Sequence, residues 1–471
     1  MVNPQQITEP ASITGTTVAT LTHRVVGTDS VPAVMGPEDA ASPTAMCEDS
    51  DDASSETSTI RYDHEPFETF KDKVRELVAE KLNVAVNNIH IKRMTGGSSN
   101  RVVGVEVHAP GAKRQCFSWL QKWIRAFQRS HARTTSQAYI VRMSRYDCSE
   151  LEQQVATLQV VRARVSFPIP EVVHYDLSSN NVLEKPYMIQ RHIPGSLITH
   201  LLKDLPLEQK KSITKQVTAL VSAIATIKAA PGDISVDNLA SSVDAPVCVT
   251  KIKVPQGDSI VATPQTSIAH LIEQCETWRD FQSANGYCFD EIWDSFVAIS
   301  KALDKRGFLN GDCVLVHGDL REYNMLAEKS DSVPLQITGI IDWDDAYFAP
   351  LVMAFRSPFW LWTSEDASTD VLEDEKNALL EPTTEEDRIL KDIFLEYASG
   401  EYKRYAFAPE AMLARRMYHI LRKGIFGDWD MMEAEAIIRE WDDLHPEDDV
   451  AMLGDESDDH DSETEVDLER D

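Results

Sequence analysis

Cysteine is scarce and scattered, with seven residues in 471, an odd number and no C-x-x-C pair. That spacing argues against a zinc site and against a disulfide framework. No run of about 18 apolar residues occurs, as a membrane-spanning helix would need. The opening segment MVNPQQITEPASITGTT has neither the basic flank nor the apolar stretch of a signal peptide. Positive charge is also short: 46 Lys and Arg face 77 Asp and Glu, for a net charge of -31. Nucleic-acid binding needs a basic footprint, so no such partner is expected. Together these absences point to a reducing, cytoplasmic setting and no transmembrane segment.

Apolar residues make up 42% and charged residues 26% of the chain, enough to bury a core, and the length exceeds what one core ordinarily serves. The charge is uneven. Residues 442–471 carry 15 acidic residues and one Arg, and residues 1–60 carry nine acidic residues and only Arg24, which leaves -9 for residues 61–441. The first 60 residues are rich in Ser, Thr, Pro and acid with few large apolar side chains, a composition that predicts disorder. Residues 442–471 are expected to form an acidic C-terminal tail.

Between these ends the patterning changes along the chain. FETFKDKVRELVAEKLN (67–83) has helical spacing, and IHIKRM (89–94), TGGSSN (95–100) and RVVGVEV (101–107) read as strand, Gly-rich turn and strand. AYIVRM (138–143) is a third strand, residues 149–164 an amphipathic helix, and PYMIQRHIPGSLI (186–198) a strand, turn and helix start. Beyond about residue 200 the pattern is mainly helical, broken near 314–345 by short β-type runs. The expected fold class is α+β in two lobes: a small β-sheet N-lobe with one helix over 61–192, and a larger, mainly helical C-lobe over 193–441.

The chemistry concentrates in VLVHGDLREYNMLAEKSDSVPLQITGIIDWDDAYFAP (314–350). One apolar strand delivers His317-Gly318-Asp319, with Asn324 five residues on; a second, ITGII, delivers Asp342. Phosphoryl transfer asks a protein mainly for positioning and charge neutralisation. Asp319 is placed to accept or orient a hydroxyl proton. Asn324 and Asp342 offer the hard oxygen ligands that Mg²⁺ requires.

HGDLREYN followed by IIDWDD resembles the catalytic and metal-binding loops of the aminoglycoside phosphotransferase (APH) family, relatives of protein kinases, in a divergent, fungal-type form. GGSSNRVVGV, AYIVRMSR, FPIPEVV and PYMIQRHIPGSL fall in family order, so the resemblance spans roughly 85–440. It implies a protein-kinase-like fold with ATP and Mg²⁺ as cofactors and the hydroxyl of a small molecule as acceptor.

The resemblance makes Asp319 the catalytic base, Asn324 and Asp342 the metal ligands, and His317 a scaffold for its loop. Arg321 stands where protein kinases carry a cation near the transferred phosphate. Gly96, Gly97, Ser98 and Ser99 would let the backbone approach nucleotide phosphates, and Arg142, in place of the commoner Lys, would pair with them. Its helix partner is expected at Glu152, although the best alignment puts Gln154 there. The linker from Gln190 through Arg191 to Ile193 would face the adenine.

The uncertain partner of Arg142 keeps a second reading open, a pseudokinase-like scaffold or regulatory binding protein with little or no transfer. Residues 107–146 hold eight Arg or Lys and no acid, including a basic amphipathic helix over 113–133, an insertion of about 108–137 that suits contact with the acidic tails or a partner. The aromatics after Asp342, from Trp343 to Trp362, read more readily as C-lobe core than as a substrate wall.

Overall fold

A computed structural model describes residues 65–94, 100–108, 136–145, 150–242, 244–330, 333–363 and 374–450. The Gly96–Ser99 turn, the basic helix at 113–133, the first 60 residues and residues 451–471 lie outside the described residues.

Helix α1 (Phe67–Lys81) turns Phe70, Val74, Leu77 and Val78 to one side, the spacing that gives a helix a single apolar face. Strands β1 (Ile89–Arg93), β2 (Asn100–Val107) and β3 (Gln137–Ser144) follow, then helix α2 (Glu150–Arg162), β4 (Val172–Asp176) and β5 (Tyr187–Arg191). The strands form one antiparallel sheet in the order β1-β2-β3-β5-β4. Alternate residues, among them Ile89, Ile91, Val103 and Val105, pack with the α1 face in a small core of their own.

Helix α2 departs from the amphipathic pattern expected of it. It is buried without a break from Gln154 to Leu158, because it has protein on several sides. Its Leu151, Val155, Leu158 and Val161 join the larger core of the C-lobe. Gln153 donates a side-chain hydrogen bond to the carbonyl of Ile234.

The C-lobe continues with β6 (Ser196–Leu197), α3 (Leu207–Ile224), β7 (Gly232–Ile234), β8 (Val249–Thr250), α4 (Ser267–Ala284) and α5 (Asp290–Lys305). Strands β9 (Cys313–Val316), β10 (Met325–Ser330), β11 (Val333–Ile340) and β12 (Tyr347–Pro350) precede helices α6 (Glu385–Tyr397), α7 (Gly400–Phe407), α8 (Pro409–Lys423) and α9 (Asp428–Leu444). The β7–β8 pair was not foreseen, since strands of two or three residues carry no readable alternation. Trp278, Trp293, Trp343, Trp362 and Trp441 are fully buried. Phe348 and Phe359 are buried too, so most aromatics after Asp342 are core.

Two strand pairings position the site. β9 runs antiparallel to β12, with Val316 opposite Tyr347, and β10 runs antiparallel to β11, with Met325 opposite Ile340. The loop leaving β9 and the loop leaving β11 are thereby held side by side.

One boundary moves. Residues 442–450 belong to the packed body and not to a tail: α9 runs through Leu444, Val450 is 1% exposed, and Ser295 donates to the Val450 carbonyl at 2.8 Å. Arg306 draws in the acids, pairing with Glu447 and Asp448 at 2.8 Å each. Acidic composition there reflects an ion-paired surface. No helix among the described residues is long and apolar enough to cross a membrane.

Candidate active site

The loop from His317 to Asn324 is built around a buried histidine. The backbone N–H of Asp319 donates to His317 Nδ1 at 3.3 Å, so Nε2 carries the ring proton and donates to the Ile341 carbonyl at 3.1 Å. Burial lowers the His317 pKa and keeps the ring neutral. Its ring lies 4.4 Å from that of Trp343. From the other end of the loop, the Asn324 carbonyl accepts from Ile341 N at 2.9 Å. Ile341 is therefore clasped by both ends of the loop, and the residue after it is Asp342.

Asp319 accepts from Asn324 Nδ2 at 2.9 Å and from the Tyr323 hydroxyl at 2.7 Å. Because the Asn324 amide nitrogen faces Asp319, its oxygen Oδ1 is the atom left to ligate a cation. Asp342 stands in the left-handed region at φ +63 with its carboxylate half exposed. A non-glycine residue at positive φ is costly, and such strain gathers at functional positions. An amide oxygen and an ionisable carboxylate from adjoining loops are the donor set a hard divalent cation takes.

Arg321 lies over Phe359, 5.4 Å from the ring centroid, and faces Glu322 at 3.6 Å. On β3, Arg142 is 8% exposed and its Nη2 pairs with Asp342 at 3.2 Å and with Asp344. The expected helix partner is not used: among the described residues Arg142 forms no ion pair with Glu152, and the buried Gln154 Oε1 has no hydrogen-bond partner. A loop carboxylate, Asp344, stands where a helix carboxylate was expected. Burial pushes Asp344 up to about 6, and Arg142 pulls it back. Asn100 Nδ2 also reaches Asp344, at 3.4 Å.

In the linker, Arg191 points to Glu171 at 2.9 Å and is half exposed, whereas Ile193 is buried over Gly339. A Cβ on Gly339 would come within 2.8 Å of the Ile193 side chain, so glycine is what allows this approach.

Beside the Asp342 loop lies a cavity of about 680 Å³ lined by Gln153, Asp233, Asp344, Asp345, His419 and Arg422, among others. Arg422 bridges Asp345 at 2.7 Å and Asp233 at 3.3 Å and lies 3.9 Å from the Tyr347 ring centroid. Burial raises Asp233 against the pull of Arg422. Sequence reasoning missed Tyr323, Asp233 and Arg422. Tyr323 is four residues past Asp319, a spacing that could have drawn notice; nothing in the sequence connects Asp233 or Arg422 to the loop.

The sequence model described as APH, phosphotransferase enzyme family, matches residues 125–390, more than half of the chain. The chain belongs to the phosphotransferase enzyme family. Membership makes it a phosphotransferase with a two-lobed, protein-kinase-like α+β fold. No curated protein matches this phosphotransferase. Among solved structures it is similar to aminoglycoside phosphotransferase APH(4)-Ia, with 17% identity over 78% of this chain and 98% of that one, TM-score 0.41. It is also similar to ADP-bound APH(2'')-Ib, with 13% identity over 78% and 96%, TM-score 0.43. The family assignment rests on the family match and not on these superpositions.

Proposed function

We propose that this phosphotransferase moves the γ-phosphoryl group of ATP, with Mg²⁺, to a hydroxyl of a small molecule in the cytoplasm. The observation that carries the reading is the double clasp on Ile341, which ties the Asp319–Asn324 loop to Asp342. Asp319 accepts or orients the hydroxyl proton. Asn324 Oδ1 and the Asp342 carboxylate would hold Mg²⁺, which would neutralise charge on the transferring phosphate. Arg142, Gly96, Gly97, Ser98 and Ser99 receive the nucleotide phosphates, and the segment around Ile193 receives the base. Arg321 supplies a cation near the catalytic loop.

The cavity lined by Asp345 and Arg422 is the acceptor site. Asp345 abuts the catalytic loop, since a Cβ on Gly318 would fall 2.6 Å from Asp345 Oδ2. Walls of both charges suit a polar alcohol with several hydrogen-bonding groups.

The scaffold alternative drew its support from a missing counter-ion for Arg142, and Asp344 fills that place. Thermal stabilisation by ATP with Mg²⁺, and its loss in Asp342→Ala, tests the nucleotide site. Incubation with isotopically labelled ATP and fractionated metabolites, comparing wild type with Asp319→Asn, tests transfer. Equal labelling by both proteins would overturn the assignment of Asp319.

A further inference from the structure

We propose that Asp344 is the positioning counter-ion of Arg142, supplied by the metal loop in place of a helix carboxylate. The inference rests on the nucleotide site proposed above and adds a residue to it.

A guanidinium that is 8% exposed needs an opposing charge, because an unpaired buried cation is strongly unfavourable. Helix α2 does not provide one. Glu152 forms no ion pair with Arg142 among the described residues, and Gln154, though buried, is neutral with an unpartnered Oε1. Asp342 contacts Arg142 at 3.2 Å, but that carboxylate is also the metal ligand. Once it turns to a cation, Asp344 is the carboxylate that stays with Arg142.

The loop is shaped for this. Trp343 is 1% exposed, its Nε1 donates to the Ile340 carbonyl at 3.1 Å, and its own carbonyl accepts from Ala346 N at 3.1 Å. With Trp343 anchored downward, Asp342 and Asp344 flank it and both reach Arg142 Nη2. Asn100 Nδ2 steadies Asp344 from β2. Arg142 Nε is buried and has no hydrogen-bond partner. Among the described residues only Nη2 of Arg142 is engaged, which leaves the rest of the guanidinium fork for an anionic oxygen such as a nucleotide phosphate.

The test compares wild type with Asp344→Asn, Asp344→Asn/Gln154→Glu and Asp342→Ala, measuring the Kd for Mg²⁺–ATP and the turnover of ATP. Asp344→Asn should weaken ATP binding about tenfold and lower turnover at least as much. The double variant, which returns a carboxylate from α2, should recover a substantial part of the binding. A merely structural role would not respond to an acid placed on a different element. Wild-type Kd and turnover in Asp344→Asn, beside lost binding in Asp342→Ala, would overturn the inference and leave the nucleotide site standing. No ATP binding by wild type would overturn both. Should Asp344→Asn fail to fold, the pair Asp344→Asn/Arg142→Met decides. Recovery of a cooperative melt there supports charge pairing, and continued failure to fold overturns it.

Discussion

Asn324 holds Asp319 at two points, its Nδ2 donating at 2.9 Å to the main-chain oxygen and at 2.9 Å to Oδ2. One amide thus fixes the carboxylate proposed to orient the acceptor and turns its own oxygen toward the proposed metal. The two ends of this side chain can be separated by substitution. Asn324→Asp keeps an oxygen ligand but replaces the donor with a like charge, so turnover should fall about 100-fold with Mg²⁺–ATP binding largely kept. Asn324→Ala should lose both. Turnover measured beside Mg²⁺-dependent ATP binding separates the two variants.

Gly318 sits at φ +87, and a Cβ there would meet Asp345 Oδ2 at 2.6 Å and come closer still to the Asp345 main-chain oxygen. Gly318→Ala therefore combines an unfavourable backbone region with a backbone clash. A loss of about 1–3 kcal/mol in denaturant unfolding is expected, together with reduced turnover. An unchanged unfolding midpoint would contradict this geometry.

In the C-lobe, Arg416 and Glu433 are both less than a tenth exposed, with Nε to Oε1 at 2.6 Å, and Glu440 adds a bond at 2.9 Å. Removing the cation strands a buried carboxylate. Arg416→Met should cost about 3–5 kcal/mol in chemical denaturation. The paired change Arg416→Met/Glu433→Leu should recover most of it.

His270 is buried against the Tyr418 hydroxyl at 3.1 Å, and burial pushes its pKa down to about 4. Between that value and the ordinary 6.5 the unfolded chain binds the proton and the folded one does not, so stability falls as pH falls through this window. From pH 7.5 to 5.5 the loss from this group is about 1 kcal/mol. His270→Gln should be less stable at pH 7.5 and should fall less steeply on acidification, as read from melting temperatures across that range.

Which parts were legible from sequence follows from the range of the interactions. The strand–loop–strand segments at 314–350 carry their chemistry in contiguous residues, so Asp319, Asn324 and Asp342 could be singled out, and short apolar runs around a Gly-rich turn marked β1 to β3. Arg142 was legible through its place in a strand, but its partner was not: Asp344 is 202 residues away in sequence. The sense in which α2 is buried was also hidden. Its composition resembles an amphipathic helix, and only the packing of the C-lobe shows that residues 154–158 are all covered. The Arg422 bridge between Asp233 and Asp345 joins three distant segments, and no local pattern records such a contact.

The continuous burial of α2 bears on how such a molecule can be controlled. Swinging this helix away from the cleft would strip Leu151, Val155, Leu158 and Val161 from the C-lobe core, exposing apolar surface at about 25 cal/mol per Å². The helix is accordingly part of the floor and not a lever. Met188 of β5 shares that core, so α2 and the adjoining strand of the five-stranded sheet are held to the C-lobe by the same apolar contacts.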